Sequence, residues 1–128
     1  MAGIRLLEPS ARSVLRLVAG FTFSFHGMQK LFGLFGGHRV PYFSLPWVGG
    51  FLELFGGLLI FVGLFTVPVA FILSGEMAVA YFRVHFSRGF LPIMNGGELA
   101  ALYCFIYLYF FTAGPGPLSV DRWLRKQG

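Results

Sequence analysis

Charge is in short supply here: ten basic and five acidic residues in a chain of 128. A soluble domain this small keeps much of its surface wet, and so few charges do not cover it. Much of the surface is therefore expected to face lipid. The lone cysteine, Cys104, excludes an intrachain disulfide and a Cys-x-x-Cys redox pair. Period-two alternation is missing, which disfavours a transmembrane β-barrel. No His-x-x-x-His pair suggests haem or zinc. No glycine pair is followed by Lys-Ser or Lys-Thr as in a phosphate loop, and there is no Gly-x-Ser-x-Gly nucleophile elbow. The net charge of +5 does not imply nucleic acid, because the bases gather at the two ends, with Arg5, Arg12 and Arg16 at one and Arg122, Arg125 and Lys126 at the other.

What the chain has is apolar length, 56% of its residues being hydrophobic. A bilayer crossing takes about 20 mostly apolar residues, and four segments qualify: 13–35, 47–65, 67–86 and 96–113. Together they predict a single all-α membrane domain over residues 1–128, a four-transmembrane-helix bundle. His26-Gly-Met-Gln-Lys30 follows the first apolar run where a cleavage site would need small residues, so that run reads as retained. Gly114-Pro-Gly-Pro117 stops the last span. Beyond it, 118–126 fits a short interfacial helix capped by Ser119 and anchored by Trp123. An even number of spans puts both termini on one side. Six basic residues flank that side against Lys30, Arg39, Arg83 and Arg88 opposite, which favours cytoplasmic termini. Arg16 reads as one of these interfacial anchors.

Ionisable groups in a bilayer cost about 2.5–3.5 kcal/mol each on insertion scales, yet every span carries one. His26 and Lys30 lie four apart on one face of the first. Glu53 shares a stripe with Gly49, Gly56, Ile60 and Gly63, and small residues at that spacing let helices approach closely. Glu76, Ala80 and Arg83 form a stripe on the third span, as do Glu98, Ala101 and Phe105 on the fourth. Converging stripes would give one polar cluster of His26, Lys30, Glu53, Glu76, Arg83 and Glu98 in the half of the bundle away from the termini. Plainer roles exist for each. Asn95 and Glu98 match a capping box; Lys30, Arg83 and His85 could reach the headgroups; Glu53 and Glu76 could serve only as helix-to-helix partners. No residue stands out as a catalytic nucleophile.

Several stretches, in order, resemble the DoxX family of small bacterial membrane proteins: Phe25-His-Gly-Met-Gln-Lys30-Leu-Phe, Gly49-Gly-Phe-Leu-Glu53-Leu-Phe-Gly-Gly57, Glu76-Met77 through His85, Asn95-Gly-Gly-Glu98, and Gly114-Pro-Gly-Pro-Leu-Ser-Val-Asp121. The resemblance implies a four-helix bundle in the bacterial inner membrane. It also implies a subunit of a quinone-linked, respiratory-type oxidoreductase complex, since relatives include the membrane subunit of a thiosulfate:quinone oxidoreductase. On this reading the chain carries no cofactor of its own, a quinone is the ligand to expect at the polar cluster, and the partners are lipids and a larger membrane complex or further copies of the chain. Two other functions compete: an accessory subunit of a respiratory or photosynthetic assembly, and a binding module for a lipid or small amphiphile.

Overall fold

A computed structural model describes residues 2–127, and among these no strand occurs. After a single turn, α1 (Ala2–Arg5), come α2 (Glu8–Phe32), α3 (Leu45–Val62), α4 (Thr66–Arg88), a short α5 (Pro92–Asn95), α6 (Glu98–Ala113) and α7 (Val120–Gln127). Of these, α3 and α4 are long and apolar enough to cross a membrane, while α6 is apolar but shorter, at 16 residues.

Local chemistry sets the ends. Pro9 sits in the first turn of α2, where its missing N–H and fixed φ are tolerated, so the helix begins earlier than the apolar run does. Gly33, left-handed at φ 70°, closes it with its amide on the Gln29 carbonyl. Ser44 caps α3, its Oγ accepting from the Trp47 amide at 3.3 Å. Two helices are locally underwound into π turns, Leu52–Gly56 in α3 and Tyr81–His85 in α4.

The α2–α3 pair is held by glycines that meet across an antiparallel contact. A methyl placed on Gly20 would stand 2.6 Å from the Gly57 carbonyl oxygen, and one on Gly27 the same distance from that of Gly50. Backbone therefore touches backbone at two points, 20 against 57 and 27 against 50. The stripe read from the sequence faces elsewhere: Gly56 receives Leu73 of α4. The core draws Phe23 from α2, Ile60 from α3, Leu73 and Met77 from α4, and Tyr103, Tyr107 and Phe110 from α6. Large apolar side chains cover the outside instead, among them Val18, Phe21, Phe71, Ile72, Leu102 and Phe105.

Arg16 departs from its expected place. It is 1% exposed rather than interfacial. Its guanidinium donates to the carbonyls of Ile60 and Phe61 near the end of α3, and to those of Pro115 and Leu118 in the segment after α6. A planar five-donor fork suits that task, because it satisfies several orphaned carbonyls at once. Asp121 completes the latch. Its carboxylate accepts from the amides of Phe65 and Thr66 at 2.8 and 2.9 Å, capping α4, and its own amide donates to Gly63 O. Ser119 caps α7 as expected, accepting from the Arg122 amide.

Candidate functional site at the Lys30–Glu53–Glu76 cluster

The close approach of α2 and α3 at Gly27 and Gly50 carries Lys30 alongside Glu53. Lys30 Nζ donates to both carboxylate oxygens, at 2.7 Å to Oε2 and 3.0 Å to Oε1. Glu53 is 3% exposed and lies in the π turn of α3. Such turns are frequent at functional sites, because the extra residue redirects the side chains that follow.

Glu76 reaches the same spot from α4. A Cβ on Gly49 would lie 3.1 Å from Glu76 Oε2, 3.8 Å from Glu53 Oε2 and 4.0 Å from Lys30 Nζ. Three ionisable groups from three helices therefore surround one glycine, whose missing side chain leaves them room. Their states of satisfaction differ. Glu53 has both oxygens engaged by Lys30, whereas Glu76 Oε1 is buried with no hydrogen-bond partner.

Two cavities flank the cluster. The larger, about 590 Å³, lies between α3 and α4, with Lys30, Glu76, Arg83 and His85 among apolar walls such as Val48, Ile72 and Val79. Those three wall residues are themselves exposed, so the cavity opens sideways on the apolar outer surface. The smaller, about 240 Å³, is lined by His26, Lys30, Glu53, His85 and Tyr103. Lys30 and His85 thus face both spaces.

Of the residues singled out in the sequence, Lys30, Glu53 and Glu76 meet. His26 joins them from the smaller cavity, edge-on to Tyr103 with ring centroids 6.1 Å apart. Arg83 is exposed and stands on the rim of the larger cavity. Glu98 is exposed and has no hydrogen bond or ion pair among the described residues, so it does not join the cluster. The capping box does not form either. Asn95 is buried, accepting from the Gly97 amide at 2.8 Å and donating to Tyr81 Oη and Gly89 O, which folds the loop between α4 and α6 on itself. His85, read from the sequence as reaching the headgroups, is half-buried, with Nδ1 3.3 Å from Asn95 O. The second π turn, which no sequence pattern announces, holds it there. Tyr103, whose hydroxyl bonds Thr22 Oγ1 at 2.6 Å, lines the smaller cavity as well.

Comparison with known proteins decides the family. The DoxX family model matches residues 11–86, which hold Lys30, Glu53 and Glu76 and nearly all of the three helices that carry them. The chain belongs to the DoxX family. A Haemophilus influenzae protein named "Uncharacterized protein" is 39% identical over 129 residues, covering 95% of this chain and 96% of that one. A Bacillus subtilis protein named "Putative oxidoreductase CatD" is 28% identical over 119 residues, covering 88% and 86%. No solved structure matches. With this family and two helices apolar enough to span, the chain is a membrane protein.

Proposed function

We propose that this DoxX protein is a four-span, single-domain subunit of a quinone-linked oxidoreductase complex in the bacterial inner membrane, with the Lys30–Glu53–Glu76 cluster receiving the quinone head group. The observation that carries the proposal is the unpartnered Glu76 Oε1 beside a cavity that opens between α3 and α4. A volume of about 590 Å³ lies within the range of small-ligand sites, about 300–1,000 Å³. Its apolar mouth suits a ligand that arrives from the acyl chains, and its polar end suits a head group with two oxygens. Lys30 and Glu76 would hold those oxygens, and the carboxyls of the cluster would exchange the protons that accompany reduction. The two electrons would come from a redox partner subunit. The similarity to the Bacillus subtilis protein supports the link to oxidoreduction.

The pattern of α2 supports four spans. At 25 residues it is about 37 Å long, enough for a core of about 30 Å. Its polar residues Ser13, Arg16 and Ser24 are buried, while Val14, Val18 and Phe21 are exposed. A helix with its polar face inward and its apolar face outward is built for lipid. The exposed Ile93 and Met94 of α5 extend the apolar surface beyond the short α6.

The test is direct binding of ubiquinone-1 to the full chain in nanodiscs, by calorimetry. Wild type is expected to bind, and Glu76→Leu to bind about tenfold more weakly, the worth of one hydrogen bond of about 1.4 kcal/mol. A wild-type protein that binds no quinone yet co-purifies with a larger membrane complex would favour the accessory-subunit reading instead.

A further inference from the structure

The latch at the other end of the molecule frames a second space, far from the cluster. A groove of about 670 Å³ runs between the first turns of α2 and α4, the strap after α6, and α7. Three guanidiniums line it, those of Arg12, Arg122 and Arg125. Arg12 is occupied, bonded to Glu8 and to the Ala113 carbonyl. Arg122 and Arg125 are exposed one turn apart on α7, and neither forms an ion pair among the described residues. The acid nearest to them in sequence, Asp121, has both oxygens taken by the amides of Phe65 and Thr66. Beneath lies Thr66 Oγ1, buried and without a hydrogen-bond partner. Apolar side chains, Phe65, Val67 and Leu124, complete the walls.

We infer that this groove binds a phosphate group, supplied by an acidic phospholipid or by a free phosphate compound. Planar guanidiniums bind phosphate oxygens in pairs. Two of them one turn apart, fixed by a helix that Asp121 and Ser119 lock to the body, form a preset anion site. Apolar walls beside the arginines suit the glycerol and upper acyl chain of a lipid. The groove lies on the face that carries both chain termini, where a cytoplasmic leaflet would offer anionic headgroups.

Native mass spectrometry of the full chain extracted into detergent tests this, with phosphatidylglycerol, phosphatidylcholine and inorganic phosphate offered separately. Wild type is expected to retain one phosphatidylglycerol at least tenfold better than phosphatidylcholine. Arg125→Ala and the Arg122→Ala/Arg125→Ala pair are expected to lose that preference, with unchanged melting temperatures. Lys126→Ala removes the same charge from the same helix but lies outside the groove, and should keep the preference. Retention of inorganic phosphate without phosphatidylglycerol, lost in the same arginine variants, would assign the site to a free phosphate. Equal retention of both lipids without bound phosphate, or an equal effect of Lys126→Ala and Arg125→Ala, would overturn the inference.

Discussion

Two ionisable groups near opposite ends of α2 are treated in opposite ways. Arg16 is enclosed at one end with its donors aimed at four backbone carbonyls from two segments. Glu76 is held near the other with one carboxyl oxygen aimed at nothing. Burying a charge is costly unless hydrogen bonds compensate. Where compensation is complete, as at Arg16, the group is explained by the fold itself. Where it is incomplete beside a cavity, the fold bears a cost for something else. The Lys30–Glu53 pair stands between the two: fully satisfied on the carboxylate side, yet with Lys30 open to both cavities.

The largest effect should come from breaking the satisfied end. Arg16→Leu leaves the carbonyls of Pro115 and Leu118 without their donor and strips the latch from the end of α3, and should cost about 3 kcal/mol. Such a protein would fail to accumulate or would melt far below wild type in detergent. Arg16→Lys should rescue little, because a point donor cannot span carbonyls that a planar fork reaches together. Wild-type melting of the lysine variant would mean that the charge, not the latch, matters there.

Next in size is Gly27→Ala. The added methyl would overlap the α3 backbone at Leu54 and Gly50, forcing the helices apart at a cost of about 2–3 kcal/mol. Separation here also pulls Lys30 from Glu53, so quinone binding should weaken along with stability. Gly75→Ala is the control: nothing lies within 4 Å of its Cβ position, so its melting temperature should stay level or rise.

Lys30→Met should cost about 2 kcal/mol by leaving Glu53 buried and unpaired, less than for a fully enclosed pair because Lys30 is 35% open. Adding Glu53→Leu should recover most of it. A double variant no more stable than the single one would show that the pair supports the fold as Arg16 does, and would move it to the structural side of the comparison.

Much of this was legible in the sequence, for identifiable reasons. Apolar length and helix-stopping Gly and Pro mark the helices whatever the tertiary packing, and the four-residue spacing of His26 and Lys30 fixes a shared face. The convergence of Lys30, Glu53 and Glu76 follows from stripes on separate helices, with Gly49 marking where they come closest. Contacts that depend on distant chain segments left no local trace. Arg16 resembles an interfacial anchor until the strap at Pro115–Leu118 is folded over it, and Asp121 caps a helix 55 residues away in sequence. The π turns change the facing of every residue after them, which is why His85 turns inward when a regular helix period leaves it free to reach the headgroups. Glycine pairs mislead in another way: Gly49-Gly50 and Gly56-Gly57 each offer one member to α4 and the other to α2, and a single stripe captures only half of that.

The smallest expected effect on stability is the most discriminating. Glu76→Gln keeps the shape of the side chain and removes its titratable proton. Because Oε1 makes no bond in the protein, the substitution should change stability by less than about 1 kcal/mol. Glu76→Leu should be tolerated equally well, since its carboxyl supports no other helix. Ligand linkage should separate the variants instead. Ubiquinone-1 in excess should raise the melting temperature of wild type, as any ligand of the folded state does, and should raise that of Glu76→Leu less. Were Glu76→Gln to lose more than about 2 kcal/mol with no ligand present, the carboxyl would have a structural duty after all. The two ends of the molecule would then differ in degree only, and the cavity beside α4 would lose its claim to a ligand.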